Sequence, residues 1–412
     1  MPDDTDTKPM RILIGADTFG PDVNGAAKFA ERLAAGLVAR GHEVHVMAPS
    51  ADSRSGTWTE EHEGATLVMH RLKSWRWYPH PWLRFALPWR IVKNSARVLD
   101  EVKPDVVHFQ SHFVVGRGLS IEARERHIRV IGTNHTMPEN MMQFTLVPKI
   151  FHKIFLKAAW SAVRNTFERA DAITTPTRRA ADFFEQSTGF TGVHAISCGL
   201  QVSNYTPNLE PRDEKVVLFV GRIEAEKNLD ELLKAFASMD PSIGAKLELV
   251  GHGDQVKHLE DLAVSLGIRD RVHLAGRVSE EYLKEQLRRA SVFAMPSIAE
   301  LQSIATMEAM ASGLPVVAAD AMALPHLVHD GENGYLYQPG NIEEFAQRLT
   351  DVLTASDRER ERMQKHSLRI VAAHDIDRTI DTFERLYRGE TVTDPVTDLA
   401  PERESDEAGA GR

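Results

Sequence analysis

The chain has 412 residues, of which 42% are hydrophobic and 26% charged, with a formal net charge of -10. That length exceeds what one hydrophobic core organises and fits two α/β domains. The acidic balance excludes general affinity of the whole chain for nucleic acid or anionic lipid, although a local basic patch remains open. The single cysteine, Cys198, excludes an intramolecular disulfide and a Cys-rich metal site. It fits a reducing compartment, with the thiol as a small buried hydrophobe.

In chain order, residues 1–9 are polar and lack the apolar core of a secretory signal, so they are expected to be disordered. No apolar run approaches the roughly 18 residues of a membrane-spanning helix. The expectation is a cytoplasmic protein whose membrane contact, if any, is peripheral on the inner face of the plasma membrane. Arg11–Ala16 reads as a buried strand and Ala26–Arg40 as a helix stopped by Gly41. Further strands are predicted at Glu43–Ala48, Asp105–Phe109, Arg129–Gly132 and Ala172–Thr175. A second series follows: strand Val216–Val220, helix Leu229–Ser238, then strands Lys246–Val250, Val272–Leu274, Val292–Met295 and Val316–Ala319. Strand–helix alternation implies parallel sheets covered on both faces, hence two doubly wound, Rossmann-like α/β domains facing across a cleft. The boundaries expected are 10–203 and 215–372, joined by a Pro-containing charged linker at 204–214. From Gly389 the chain turns acidic and poor in apolar residues, which reads as a disordered tail over 389–412.

The most informative stretch runs from Ser291 to Asp320, SVFAMPSIAELQSIATMEAMASGLPVVAAD. Pro296 ends a strand, a loop carries Glu300, and Ser303 is placed to cap a helix that Gly313 and Pro315 stop. The helix start, at Ser303 and Ile304, offers unpaired N–H groups to a phosphate. Glu300 before the helix and Glu308 within it can each accept hydroxyl hydrogen bonds, one from a sugar and one from a ribose. In VVLFVGRIEAEKNLDELLKAF, Arg222 and Lys227 follow a strand that ends at Gly221, and two cations there suit a diphosphate. Asn228 and Glu231 form a capping-box-like pair, and the loop lacks the GK[ST] ending of a P-loop. Gly251 and Gly253 can let backbone approach a ligand, and Arg277 is placed near a possible base.

The ordered set GRI…EKN, LVGHGD, AGRV and PS…E-x7-E…EAMASGLPVV resembles the retaining glycosyltransferases of family four, of the GT-B fold. The resemblance implies that Arg222 and Lys227 bind the donor diphosphate, that Glu300 holds the donor sugar, and that Glu308 holds the ribose. The N–H groups of Ser303 and Ile304 would take the distal phosphate. Gly25 matches the glycine whose backbone approaches the diphosphate, and a helix at 373–388 would pack back on the first domain. Many relatives carry EGFG where this chain reads Glu300-Leu301-Gln302-Ser303. Similar versions occur in lipid glycosyltransferases, so the departure puts the sugar specificity in question.

His135 follows the strand Arg129–Gly132 and is expected at the cleft, where an imidazole can bond a sugar hydroxyl or stabilise developing charge. Glu139 and Asn140 are expected toward the acceptor. Gly64–Leu99 contains no acidic residue, seven basic ones (Arg71, Lys73, Arg76, Arg84, Arg90, Lys93 and Arg97) and Trp75, Trp77, Trp82 and Trp89. Basic residues interleaved with tryptophan suit an anionic membrane surface, and KIFHKIFLKAAWSAVRNTF from Lys149 reads as a basic amphipathic helix. A core-packing loop or a dimer interface are the competing readings.

The expected reaction moves a hexose from a nucleoside diphosphate sugar, UDP-glucose or GDP-mannose in type, to a lipid hydroxyl with retention. Diacylglycerol, a glycosyl-diacylglycerol or phosphatidylinositol would be the acceptor. No metal-ligand cluster, cofactor or nucleic-acid partner is expected. A soluble acceptor, a sugar-nucleotide epimerase and a non-enzymatic sugar-nucleotide-binding protein are the alternatives. Glu300 and Glu308 lie on one donor-binding unit, which argues against two-carboxylate hydrolysis.

Overall fold

The computed structural model describes residues 8–21, 24–52, 54–76, 84–142, 148–212 and 214–393, without the side chains of residues 140, 141 and 149. Most of the expected disordered ends, together with Trp77 and Trp82, lies outside the described residues.

The first domain contains, in order, β1 (Arg11–Gly15), α1 (Gly25–Ala39), β2 (Glu43–Pro49), β3 (Gly56–His62), β4 (Ala65–Leu72), β5 (Ser74–Arg76), β6 (Arg84–Ala86), α2 (Ile91–Val102), β7 (Val106–Phe109), α3 (Val114–Glu125), β8 (Arg129–Thr133), α4 (Pro138–Met141), α5 (His152–Phe167), β9 (Ala172–Thr175), α6 (Arg178–Thr188) and β10 (His194–Ala195). Its sheet runs β10-β9-β8-β7-β1-β2-β4-β3, parallel except for β3 against β4. The second domain contains β11 (Val216–Val220), α7 (Leu229–Ser238), β12 (Lys246–Val250), α8 (Val256–Ser265), β13 (Val272–Gly276), α9 (Glu280–Arg289), β14 (Val292–Met295), α10 (Ile304–Ala311), β15 (Val316–Ala319), α11 (Leu324–Leu327), β16 (Gly334–Tyr337), α12 (Ile342–Leu353) and α13 (Asp357–Ala372). Its sheet, β13-β12-β11-β14-β15-β16, is parallel throughout. A last helix, α14 (Ile376–Tyr387), follows.

Alternation along the strands builds a core on each face of the first sheet. Ile12 and Ile14 face one cluster with Phe29 and Leu33, while Leu13 faces the other with Leu119 and Val130. Asn24 starts α1 by accepting the Ala27 N–H at 2.9 Å. The buried Ala27, Ala30, Leu33, Ala34 and Leu37 follow at helical spacing. Ile376, Ile380, Phe383 and Tyr387 of α14 join the same cluster as α1, so α14 is part of the first domain's core.

Two chain segments cross between the domains, and they pair with each other. Leu200 N–H donates to His374 O at 2.8 Å, and Ile376 N–H to Leu200 O at 3.0 Å. This corrects the linker expected at 204–214. That stretch packs on the second domain: Asn208 bonds the Ser312 and Arg288 carbonyls, and Gln364 bonds Asn208 O. Its prolines and charges reported surface exposure. The crossing itself uses Gly199, at φ 68, where an added Cβ would meet Ile376 Cα at 2.9 Å.

Three further readings change. The β3–β4 hairpin was not expected, because 64–99 was read by its charge and tryptophans. Arg71, counted in that basic patch, is 4% exposed. It donates to Glu60, to Pro49 O at 3.1 Å and to Gly20 O at 2.6 Å, so it braces the loop after β1. Finally, Asn228 sits at φ 49 and makes no side-chain cap. Glu231 accepts instead from Tyr337 Oη at 3.1 Å and Gly340 N–H at 3.2 Å, so the capping box is absent.

Candidate active site

The carboxyl ends of the two sheets face one another across a cavity of about 300 Å³. Parallel strands deliver loops there from both domains. The second domain contributes Arg222, Glu226, Lys227, Glu300, Leu301, Gln302, Ser303 and Ile304 to the lining. The first contributes Asp17, Thr18, Gly25, Phe85, Gln110, Ser111, Phe113, His135, Thr136, Met137 and Cys198, among others.

The second-domain wall is made of paired charges. Lys227 Nζ donates to Glu300 Oε1 at 2.5 Å, and each side chain is 12% exposed. Burial would push the Glu300 carboxyl up, but the Lys227 ammonium beside it holds it below the usual range. Arg222 pairs with Glu224 and, at 2.6 Å, with Glu226. The loop carrying Glu300 is stitched across the cleft, since Thr177 Oγ1 donates to Leu301 O at 3.0 Å. Gln302 is 4% exposed and fastens that loop to both domain crossings. It accepts the Cys198 N–H at 2.8 Å and donates to Ser197 Oγ at 2.7 Å, with His374 Nδ1 at 3.4 Å.

Ser303 starts α10, although not through its side chain. It is left-handed at φ 79, and its hydroxyl meets Thr306 Oγ1 at 2.8 Å, so the expected side-chain cap is corrected. That leaves the first-turn N–H groups of α10 without intrahelical carbonyls, at the cavity edge. Gly25, opening α1, stands opposite: a Cβ there would lie 3.6 Å from Ile304 Cδ1.

Glu308 lies outside the cavity lining, within α10. It accepts from Tyr205 Oη at 2.9 Å and pairs with Arg32 of α1 at 3.5 Å. Burial pushes its carboxyl above the usual range despite Arg32. Gly251 and Gly253 are also outside the lining, and their need for glycine is internal. A Cβ on Gly251 would sit 1.8 Å from Gly221 O, and one on Gly253 2.0 Å from Ile223 O. Arg277 is exposed beyond β13.

The first-domain wall is held by hydrogen bonds rather than ion pairs. Asp17 accepts from Ser111 Oγ at 2.6 Å and from the Val115 N–H at 2.9 Å, and burial pushes its carboxyl up. His135 Nε2 donates to Gln110 Oε1 at 2.8 Å, and burial lowers His135 to about 4, so the imidazole is uncharged at neutral pH. Phe85 and Phe113 meet edge to face at 6.1 Å and supply apolar surface beside Met137. Glu139 is turned to Trp160, whose Nε1 donates to it at 2.9 Å, and is outside the lining. Asn140 lies in α4, and its side chain is outside the described residues. Asp17, Gln110, Ser111, Phe85, Phe113, Cys198 and Gln302 are among the cavity residues that sequence reasoning did not place in the site; Gln110-Ser111 directly follows β7. Among the described residues no group of three or more His, Cys, Asp or Glu side chains is arranged to hold a metal ion. No described helix is long and apolar enough to cross a membrane.

Two facing Rossmann-like domains with a cation- and carboxylate-lined cleft define the GT-B class. The comparisons carry this further. The family model described as Glycosyltransferase Family 4 matches residues 23–204, and that described as Glycosyl transferases group 1 matches 204–369. The chain belongs to the family-four glycosyltransferases and is a nucleotide-sugar-dependent hexosyltransferase. It is 27% identical to a sulfoquinovosyl transferase of Arabidopsis thaliana over 71% of this chain, and spans 58% of that relative's length. It is 24% identical to an alpha-monoglucosyldiacylglycerol synthase of Streptococcus pneumoniae, covering 91% of this chain and 85% of the relative. A sucrose-phosphate synthase structure from Thermosynechococcus elongatus superposes with a TM-score of 0.76 at 20% identity, covering 92% of this chain and 99% of that one.

Proposed function

We propose that this enzyme is a retaining α-glycosyltransferase that moves a hexose from a nucleoside diphosphate sugar to a hydroxyl of a membrane lipid. Diacylglycerol, glycosyl-diacylglycerol and phosphatidylinositol are the acceptor types. The observation that carries the reading is the pairing, in one cavity, of a charged wall with a facing wall that presents apolar surface at Phe85, Phe113 and Met137. On the donor side, Lys227, Arg222 and the α10 N-terminus can stabilise the negative charge that develops on the leaving diphosphate. As a phosphate takes Lys227, Glu300 is released from its ion pair to accept sugar hydroxyls. Glu308 beside Tyr205 is the ribose group in this reading.

On the acceptor side, Phe85 belongs to the β5–β6 ribbon, which pairs Trp75 with Phe85. Trp75 also stacks on Trp89 at 5.6 Å, and Trp89 is 76% exposed beside Arg90 and Lys93. Ile150 and Ile154, 80% and 69% exposed, form a second apolar patch near Lys153. Ile150 lies in the turn just before α5 and Ile154 within it; α5 touches α3, and α3 packs on α2. Exposed aromatic and aliphatic groups ringed by lysine and arginine suit an anionic lipid surface. The glycolipid-forming relative supports a lipid acceptor, and the cytoplasmic membrane face follows from that reading.

The test offers UDP-glucose and GDP-mannose with diacylglycerol in vesicles containing about one third anionic lipid, and follows both glycolipid product and vesicle flotation. Product with a soluble acceptor and no flotation would leave the transferase and remove the lipid. Conversion of the sugar nucleotide without acceptor would mark an epimerase, and binding without turnover a non-enzymatic role.

A further inference from the structure

Behind the cleft wall, buried side chains link the last helix to His135. Tyr387 Oη lies 2.7 Å from His108 Nδ1. His108 Nε2 lies 2.6 Å from Thr133 Oγ1 and 3.2 Å from Gln110 Nε2. Gln110 Oε1 lies 2.8 Å from His135 Nε2. Each of Tyr387, His108 and Gln110 is buried, and Phe383 packs on the His108 ring at 4.9 Å.

Burial pushes His108 down to about 3 and His135 to about 4, so each ring carries one proton and one lone pair at neutral pH. The Gln110 amide has a donor end and an acceptor end, and it joins the two rings. Only two polarities then satisfy every link. In one, His108 Nδ1–H donates to Tyr387 and His108 Nε2 accepts from the Gln110 amide. Gln110 Oε1 then accepts His135 Nε2–H, and His135 Nδ1 keeps its lone pair. In the other, every hydrogen bond runs backwards and His135 bears its proton on Nδ1. The amide orientation at Gln110 corresponds to the first. On its other side, His135 Nδ1 lies 3.9 Å from Cys198 Sγ, a weak partner that a substrate hydroxyl can displace.

We infer that Tyr387, His108 and Gln110 are positioning residues that hold His135 as its Nε2–H tautomer, with the Nδ1 lone pair kept as an acceptor for a substrate hydroxyl in the cleft. Only the last clause rests on the donor–acceptor reading of the cavity; the tautomer belongs to the free protein. A hydroxyl-bearing substrate is thereby read as a donor at this position, and the reading is set from the far end of the chain.

The test is a long-range proton–nitrogen correlation spectrum of the full chain labelled with 15N-histidine at neutral pH, assigned with His135→Gln and His108→Gln. The expected wild-type spectrum shows His135 protonated at Nε2 and unprotonated at Nδ1. Tyr387→Phe removes the acceptor for His108 Nδ1–H, and the Nε2–H to Nδ1–H ratio at His135 should fall by roughly fivefold or more. Adding Gln110→Leu should abolish that response, because the rings are then uncoupled. A wild-type His135 protonated at Nδ1, or a ratio unmoved by Tyr387→Phe, would overturn the inference. If Tyr387→Phe does not fold, Gln110→Leu alone decides: a mixed His135 tautomer is expected, and an unchanged one overturns the proposal. Calorimetry of the wild type with UDP and with GDP reads the donor site separately, so binding of neither would count against that site and leave the tautomer result standing.

Discussion

The two walls of the cleft keep their polar groups in order by opposite means. The second-domain wall pairs full charges, Lys227 with Glu300 and Arg222 with Glu224 and Glu226. The first-domain wall is hydrogen-bonded rather than ion-paired, His135 to Gln110 and Ser111 to Asp17, and adds Phe85 and Phe113. A charged wall can exchange one partner for a dianionic ligand at little reorganisation cost, because its cations are already fixed. A wall whose described lining holds no lysine or arginine cannot compensate a diphosphate but can orient a hydroxyl without immobilising it as a salt. In the proposed reading, the leaving group meets the charged wall and the nucleophile the hydrogen-bonded one.

The largest effect should come from breaking the charged wall. Lys227→Ala should lower kcat for donor turnover about 100-fold, the scale of losing one donor aimed at developing charge. Glu300→Gln should do the same, and the double variant should lose much less than the product of the two, since the pair acts as a unit. Steady-state kinetics of the three variants checks this; full additivity would dissolve the charged wall as a unit. Next is Glu308→Ala, expected to cost more than about 10-fold in kcat/KM for the donor, roughly 1.4 kcal/mol. A change confined to thermal stability would mean that Glu308 serves only the contact of α10 with Arg32.

The hydrogen-bonded wall should respond more gently. Phe113→Ala should raise KM for a lipid acceptor by roughly fivefold, about 1 kcal/mol of lost apolar contact, while donor hydrolysis in the absence of acceptor stays unchanged. Equal loss in both assays would blur the two walls into one. A separate readout, of stability rather than rate, is a slope with pH. His108, His112, His135 and His374 are all lowered by burial, to about 3, 4, 4 and 3. Below the ordinary histidine value of 6.5 the unfolded chain binds protons that the folded chain refuses. Stability is therefore full above pH 6.5 and falls as pH drops toward about 4. Thermal midpoints measured from pH 7.5 to 4.5 should decline, and His112→Gln should flatten the decline.

The parallel strands were legible because they are short apolar runs bounded by turn residues. Val216–Val220, Lys246–Val250, Val292–Met295 and Val316–Ala319 are the observed strands without adjustment. The β3–β4 hairpin was not, because Gly56–His62 is half-exposed and polar, and because charge dominated the reading of the segment after it. In the site, residues in the loops between a strand and the next helix that belong to a recognisable string, such as Arg222, Lys227 and Glu300, could be picked out. Gln302 could not: its amide matters only because two distant crossings, Ser197–Cys198 and His374, converge on it. Gly251 and Gly253 show an ambiguity, since a glycine that admits neighbouring backbone has the same sequence signature as one that admits a ligand.

The paired crossings have a topological consequence. Because α14 is built into the core of the first domain, the whole second domain is an insertion between Leu200 and Asp375, whose backbones already form a bridge. The host therefore has entry and exit points that nearly touch, the arrangement in which a guest can be exchanged without rethreading its host. A donor-specificity cassette could thus be transplanted between those two residues, and a short turn in its place should leave a first domain that still closes around its own C-terminal helix.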